Sequence, residues 1–125
     1  MRLVLDAGAF IAADRRDQRV LAFFTRAKER KIPLLTSSPI VGQVWRDGRR
    51  QANLARLLKG VEVVAPDDAA ARRAGLVLAK TGMSDVVDAL LACLCATDDV
   101  VLTSDPGDIE NLVKARGVHP EIVAV

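Results

Sequence analysis

Hydrophobic and polar positions along the chain alternate between short apolar runs and longer repeats at helical spacing. The apolar runs predict strands over residues 2–5, 32–36, 61–64 and 100–103, with an edge strand over 121–125. The helical repeats predict helices over residues 8–14, 18–31, 39–46, 50–58, 68–80, 85–96 and 106–116. Such alternation is typical of a parallel sheet with helices on both faces. We therefore expect a three-layer α/β/α sandwich around a mostly parallel sheet of four or five strands.

The segment 85–96 is the most apolar of the predicted helices. We expect Ser84 to cap it and the helix to be buried, since it is hydrophobic on almost every side. Asp88 lies near its fourth position, and Asp85 lies one turn earlier on the same face. A charged carboxylate among apolar neighbours is costly unless it is paired or binds metal. Asp85 also has a simpler interpretation, as a first-turn residue that favours the helix dipole.

Composition limits the chemistry that the chain can use. Its 125 residues fit one domain, residues 1–125, and the aromatic content of 3% with no Tyr argues against binding nucleic acid by base stacking. His119 is the only histidine, which excludes a histidine-rich metal site. The spacing of Cys93 and Cys95 fits neither a CxxC redox motif nor a zinc site, so we expect both to be buried reduced thiols. No apolar run is long enough to cross a membrane and the amino terminus does not resemble a signal peptide, so we expect a cytoplasmic protein. Any catalysis must rely on carboxylates.

Charge is distributed unevenly along the chain although the net charge is only +2. Residues 1–60 hold 13 Lys and Arg against 5 Asp and Glu, whereas residues 61–125 hold 5 against 11. This separation favours a basic surface beside an acidic one.

Carboxylates also follow two of the predicted strands. Asp6 comes directly after the first strand and Asp105 after the fourth, with Asp108 three residues later. Each of them could simply cap a helix or form a turn. Ligands of such sheets, however, bind at the carboxyl ends of the strands where the strand order reverses. If Asp6, Asp88 and Asp105 meet there, their charges repel one another, and a hard divalent cation such as Mg²⁺ or Mn²⁺ relieves that repulsion.

Four motifs in this order resemble the PIN-domain family, in the form of the VapC toxins of bacterial toxin–antitoxin pairs. They are Leu3-Val4-Leu5-Asp6, Ser37-Ser38-Pro39, Asp88-Ala89-Leu90-Leu91-Ala92 and Val101-Leu102-Thr103-Ser104-Asp105. The resemblance covers nearly the whole chain. It implies a Mg²⁺- or Mn²⁺-dependent ribonuclease that forms a homodimer and is neutralised by a cognate antitoxin protein.

The resemblance also implies roles for individual residues. Asp6, Asp88 and Asp105 would hold one or two metal ions, with Asp85 and Asp108 as further candidates. Gln43, Thr103 and Ser104 would orient these ligands through hydrogen bonds without binding the metal themselves. Arg46, Arg49, Arg50 and Arg56 would bind RNA phosphates, although a solvated helix face explains these arginines equally well.

One residue departs from the family pattern. The family usually has a glutamate in the helix after the second strand, where this chain has Gln43. The alternative hypothesis is therefore a catalytically degenerate PIN domain that binds RNA or protein. The apolar residues of that helix have two interpretations, as a dimer interface or as core: Ile40, Val41, Val44 and Trp45.

Overall fold

The computed structural model describes residues 1–125 and contains a five-stranded sheet in which every pairing is parallel. Its strands are β1 (Leu3–Leu5), β2 (Leu34–Ser37), β3 (Val61–Val64), β4 (Val100–Thr103) and β5 (Glu121–Ala124). They lie in the order β3-β2-β1-β4-β5. The order therefore reverses between β1 and β4, where the sequence predicted a ligand crevice.

Seven helices connect the strands and form two groups. They are α1 (Ala7–Asp14), α2 (Gln18–Glu29), α3 (Ser38–Val44), α4 (Ala52–Leu58), α5 (Asp68–Thr81), α6 (Val86–Leu94) and α7 (Pro106–Ala115). Helix α1 packs against α2, α3 and α4, while α5, α6 and α7 pack against one another. This arrangement confirms the predicted α/β/α architecture. None of the helices is both long enough and apolar enough to span a membrane.

The core is built almost entirely from aliphatic side chains, as the low aromatic content requires. All three residues of β1 and all four of β4 are buried. Phe10 of α1 and Ile109 of α7 are completely buried. Ile40 and Val44 of α3 also belong to this core, so they are not free to form a dimer interface.

The structure corrects the predicted ends of α6. Asp85, not Ser84, is the N-cap, because its carboxylate accepts hydrogen bonds from the backbone N–H groups of Val87 and Asp88 at 3.0 and 3.1 Å. The helix ends at Leu94 rather than at residue 96, since the N–H of Ala96 donates to an aspartate in the next loop. The prediction that the helix is buried is confirmed: five consecutive residues, Asp88 to Ala92, are buried, and Val86 in the first turn is the only exposed residue of the helix, at 46%.

Candidate metal centre at the carboxyl ends of the strands

Asp6 is a buried carboxylate at the end of β1, with only 3% of its surface exposed. One carboxylate oxygen accepts a 2.8 Å hydrogen bond from the N–H of Ala7, which caps α1, and the other accepts a 2.6 Å bond from the hydroxyl of Thr103. Burial raises the pKa of Asp6 above its usual value, although both hydrogen bonds act in the opposite direction. The fold therefore holds this acid in a fixed orientation at some electrostatic cost.

Asp88 lies in the first turn of α6 and is 8% exposed. Burial, together with the negative charges of four neighbouring acids, raises the pKa of Asp88 to about 7. These acids are Asp6, Asp85, Asp105 and Asp108. None of the four ion pairs in the structure involves any of these five residues. They form one uncompensated group of carboxyl side chains, which we call the acidic cluster.

Thr103 connects the two strands that carry the cluster. Its hydroxyl donates to Asp6 and accepts a 3.0 Å hydrogen bond from the backbone N–H of Asp105. The carboxylate of Asp105 is exposed at the N-cap position of α7 but forms no capping hydrogen bond. Asp105 is therefore free to bind another group, and the interpretation of its side chain as a helix cap is wrong.

The turn after β4 also packs tightly against α1. A Cβ atom added to Gly8 would lie 2.7 Å from both the Cβ and the Oγ of Ser104. Glycine at position 8 therefore allows the segment before Asp105 to approach the amino end of α1. Ser104 is exposed, and its predicted role of orienting the metal-binding carboxylates stays a prediction.

The donor chemistry of the acidic cluster fits a hard divalent cation, because all its donors are carboxylate oxygens and no cation balances them. The side chains do not, however, converge on one point: no group of three or more His, Cys, Asp or Glu residues is arranged to hold a metal ion directly. Asp6 is turned toward Thr103, and Asp85 is turned toward the first N–H groups of α6. A cation at this site would need bridging water molecules or a change of side-chain rotamer.

Two arginines and an aspartate hold the carboxyl end of α6, and no motif in the sequence points to them. Arg116 donates to the carbonyls of Ala92 and Cys95, both at 2.8 Å. Arg2 donates to the carbonyl of Leu94 at 2.9 Å and pairs with the buried Asp99 at 2.7 Å. These contacts fix the helix that carries Asp88. Their sequence separation of up to 97 residues explains why no local pattern reveals them.

The basic residues near α3 lie in a well-braced loop. The side chain of Gln51 accepts hydrogen bonds from the N–H groups of residues 46 and 47 and donates to the carbonyl of residue 44. Arg46 uses one guanidinium nitrogen to bind the carbonyls of Gly42 and Trp45. Arg49 and Arg50 are exposed, and of their two guanidinium groups only that of Arg50 pairs with a carboxylate, 3.8 Å from Asp47. This loop presents cationic side chains to solvent.

Two of the predicted residues do not support the acidic cluster in the structure. Gln43 is exposed on α3, and the hydrogen-bond partners of Asp6 are Ala7 and Thr103, not Gln43. Arg56 instead lines a cavity of about 530 Å³ together with Ile32 and Gly60, which precede β2 and β3. Arg56 thus faces the amino ends of the strands, so its predicted position beside the acidic cluster was wrong.

The protein is thus an α/β protein with a doubly wound parallel sheet and an acidic cluster at its switch point. Proteins of this class bind ligands at that edge of the sheet. A family model described as "PIN domain" matches residues 3–113, and the chain belongs to this family. No curated protein matches the sequence.

Two solved structures share the fold at low sequence identity. A chain in the crystal structure of VapBC2 from Rickettsia felis, bound to a promoter DNA fragment, matches with a TM-score of 0.70 and 11% identity, covering 98% of this chain and 99% of that one. A chain of VapBC-1 from nontypeable Haemophilus influenzae matches with a TM-score of 0.68 and 15% identity, covering 99% and 98%. Such identities establish the fold alone.

Proposed function

We propose that the protein is a Mg²⁺- or Mn²⁺-dependent endoribonuclease in which Asp6, Asp88 and Asp105 are the catalytic acids. The observation that carries this proposal is the acidic cluster, which brings five carboxyl groups together with no cation to balance them. Its position at the switch point between β1 and β4 is where ligands of such sheets bind. Membership of the PIN family supports the same conclusion.

Each residue of the acidic cluster would have its own role in metal binding. Asp6, Asp88 and Asp105 would hold the cation, with Asp85 and Asp108 adding negative charge around it. When bound, the cation supplies Lewis-acid polarisation of the phosphodiester and lowers the pKa of a bound water. Thr103 keeps the carboxylate of Asp6 oriented through its 2.6 Å hydrogen bond.

The pKa of Asp88, raised to about 7 in the absence of a cation, supports its assignment as a metal ligand. A bound cation would favour the ionised carboxylate, so binding would displace the proton and leave the oxygens of Asp88 to the cation.

The braced loop beside α3 would bind the RNA backbone. Arg46, Arg49 and Arg50 present guanidinium groups that can form paired hydrogen bonds to phosphate. Contacts of this kind position the strand without reading its sequence. Trp45, 39% exposed in the same loop, is the only tryptophan of a chain without tyrosine, so its fluorescence reports RNA binding there directly.

We further propose that the protein is the toxin of a toxin–antitoxin pair and acts as a homodimer. The two similar solved structures are VapBC complexes, which supports an antitoxin partner. Expression of the chain alone should then arrest bacterial growth, and co-expression of the protein encoded beside it should restore growth. Light scattering of the purified chain tests the dimer.

The decisive experiment is cleavage of total RNA by the purified protein in Mg²⁺, in Mn²⁺ and in EDTA. The Asp88→Asn variant should be inactive, and Glu110→Gln provides a matched control because it removes one exposed carboxylate of α7 outside the cluster. Cleavage that survives EDTA, or that Asp88→Asn retains, would refute the proposal.

The second candidate function is a catalytically degenerate binding module. It is favoured by one observation, the uncharged and exposed Gln43 where the family usually has a glutamate. This candidate predicts metal-independent RNA binding with no cleavage, so the same set of assays separates the two functions.

A further inference from the structure

The cavity of about 530 Å³ that Arg56 lines lies at the opposite edge of the sheet from the acidic cluster, and the proposed ribonuclease does not use it. Ala13 of α1, Phe24 of α2 and Leu57 of α4 line it, together with Leu34 at the start of β2. Its volume falls within the range of about 300–1,000 Å³ that is typical of small-molecule sites. We call it the α2–α4 cavity.

The walls of the α2–α4 cavity are apolar and only partly covered by the fold. Seven of its thirteen lining residues are hydrophobic. Four of these are half-buried and pack against the core from the edge of the cavity: Leu21, Ile32, Leu34 and Leu57. Removing apolar surface of this kind from water is favourable. A ligand with an apolar body would therefore gain free energy by filling the cavity.

Four exposed cations surround these apolar walls, and they take part in none of the ion pairs. They are Arg16, Lys28, Lys31 and Arg56. No Asp or Glu lines the cavity, and all its lining residues come from the basic half of the chain, residues 1–60. The carboxyl ends of α1, α2 and α4 lie nearby, but about half a negative charge at each offsets less than half of the four positive charges. The cavity is therefore electropositive.

Two of these cations have backbone conformations that their residue types rarely adopt. Arg16 and Lys31, just beyond the ends of α1 and α2, have φ angles of 60° and 55°, and no other non-glycine residue has a positive φ. Glycine is the usual residue at such a helix end, because it has no Cβ to clash. Unfavourable conformations of this kind tend to occur at functional sites. Both exceptions line the same cavity, which favours a role for their charges there.

We propose that the α2–α4 cavity binds a small amphiphilic anion, with a single apolar chain and a carboxylate or phosphate head group. Charge complementarity carries this proposal: the apolar walls cover the chain, and the cations around them bind the head group through charge-assisted hydrogen bonds. The volume favours a small molecule over a helix of a partner protein, since one helical turn, 10–12 Å wide and 5.4 Å long, already fills about 500 Å³. The proposal does not depend on the ribonuclease function.

Calorimetric titration of the purified protein with decanoate, below its micelle concentration, tests this site. Decanoate and decyl phosphate should each bind in a one-to-one complex. Decanol has the same chain without a charge, and inorganic phosphate has a charge without a chain. Each of these two should bind about tenfold more weakly or worse, because it lacks one half of the interaction.

A pair of charge variants relates the binding to the cations of the cavity. Lys28→Gln combined with Lys31→Gln removes two of them and should weaken decanoate binding about tenfold without changing the binding of decanol. The matched control is Lys80→Gln combined with Lys114→Gln. It removes two exposed lysines from the last turns of α5 and α7, outside the cavity, and should bind decanoate as the wild type does.

Two further variants separate binding from stability. A Cβ atom at position 60 would lie 3.7 Å from the carbonyl oxygen of Leu57, an ordinary contact, so Gly60→Leu can fold and should block the cavity to both decanoate and decanol. Lys31→Gly removes a charge and also relieves the positive φ. It should therefore keep or raise Tm while weakening decanoate binding, whereas a purely structural lysine would leave that binding unchanged.

The outcomes decide between the proposal and its rivals. One-to-one binding of decanoate that the double lysine variant weakens and Gly60→Leu abolishes supports the site, whether or not the protein cleaves RNA. Decanol binding as tight as that of decanoate overturns the proposal, because the cations then play no part. Absence of binding by decanoate and decyl phosphate, or binding that Gly60→Leu retains, overturns it as well and favours an acidic segment of a partner protein as the occupant.

Discussion

Asp88 should destabilise the metal-free protein, and its replacement by asparagine should therefore stabilise the fold. The carboxyl group has a pKa of about 7 in the folded state against 3.8 for an ordinary aspartate. Below about pH 4 the group is protonated in both the folded and the unfolded states, so it contributes nothing. Between pH 4 and 7 unfolding releases a proton, so stability falls as the pH rises. Above pH 7 the penalty is constant.

The size of this penalty follows from the two pKa values. Their difference corresponds to a ceiling of about 4 kcal/mol in the free energy of unfolding. Burial is its main cause, but Asp85, Asp105 and Asp108 are exposed, and solvent screens their charges. We therefore expect about 2 kcal/mol, or a rise of about 7 °C in Tm for Asp88→Asn at pH 8 in EDTA.

Thermal unfolding from pH 4 to 8 measures this effect directly. The difference in Tm between Asp88→Asn and the wild type should be close to zero at pH 4 and reach its plateau above pH 7. In Mg²⁺ the advantage of the variant should shrink or reverse, because only the wild type gains the binding free energy of the cation. Glu110→Gln, which loses an exposed charge, should show no comparable pH dependence. A pH-independent gain in Asp88→Asn would refute the electrostatic reasoning.

Three further outcomes are expected from the same geometry. Gly8→Ala places a Cβ 2.7 Å from Ser104 and should cost about 1–3 kcal/mol in chemical denaturation, whereas Gly42→Ala, which meets no atom within 4 Å, should be neutral or stabilising. Thr103→Val leaves one oxygen of Asp6 without its hydrogen bond and should cost about 1–3 kcal/mol, with Thr103→Ser restoring most of the loss. Binding of Mg²⁺ near pH 6 should release protons, and calorimetry in buffers of different ionisation enthalpy should detect them; uptake or no change would contradict the raised pKa.

The strand–helix pattern and the carboxylates at the strand ends were predictable because each is a local signal. Apolar runs locate β1 to β4 within two residues, and an aspartate directly after a buried strand is visible in any window of ten residues. The reversal of strand order between β1 and β4 was only a condition of the sequence argument, and the structure supplies it. Asp6 and Asp105 were identified for these reasons, although their catalytic role stays a prediction.

Contacts between distant parts of the chain were not predictable in the same way. The ion pair of Arg2 with Asp99 joins residues 97 apart, and only the folded sheet brings them together. Burial alone would raise the pKa of Asp99, but hydrogen bonds from Arg2 and the backbone of Ala96 bring it below the usual value. The unpartnered hydroxyl of Ser37 was missed for a related reason, since its sequence context indicates a helix cap and its isolation depends on packing.

Gln43 has less influence on the site than its place in the family motif suggests. Burial and, to a lesser extent, the other four carboxyl groups of the acidic cluster already hold a proton on Asp88 near neutral pH in the absence of a cation. A glutamate that reached these acids would raise that pKa again and add to the cost of folding. An exposed amide at position 43 avoids this cost, while Asp85 and Asp108 supply negative charge from the amino ends of α6 and α7. Loss of one glutamate therefore does not by itself indicate loss of catalysis, because the site retains more acid than a single divalent cation neutralises.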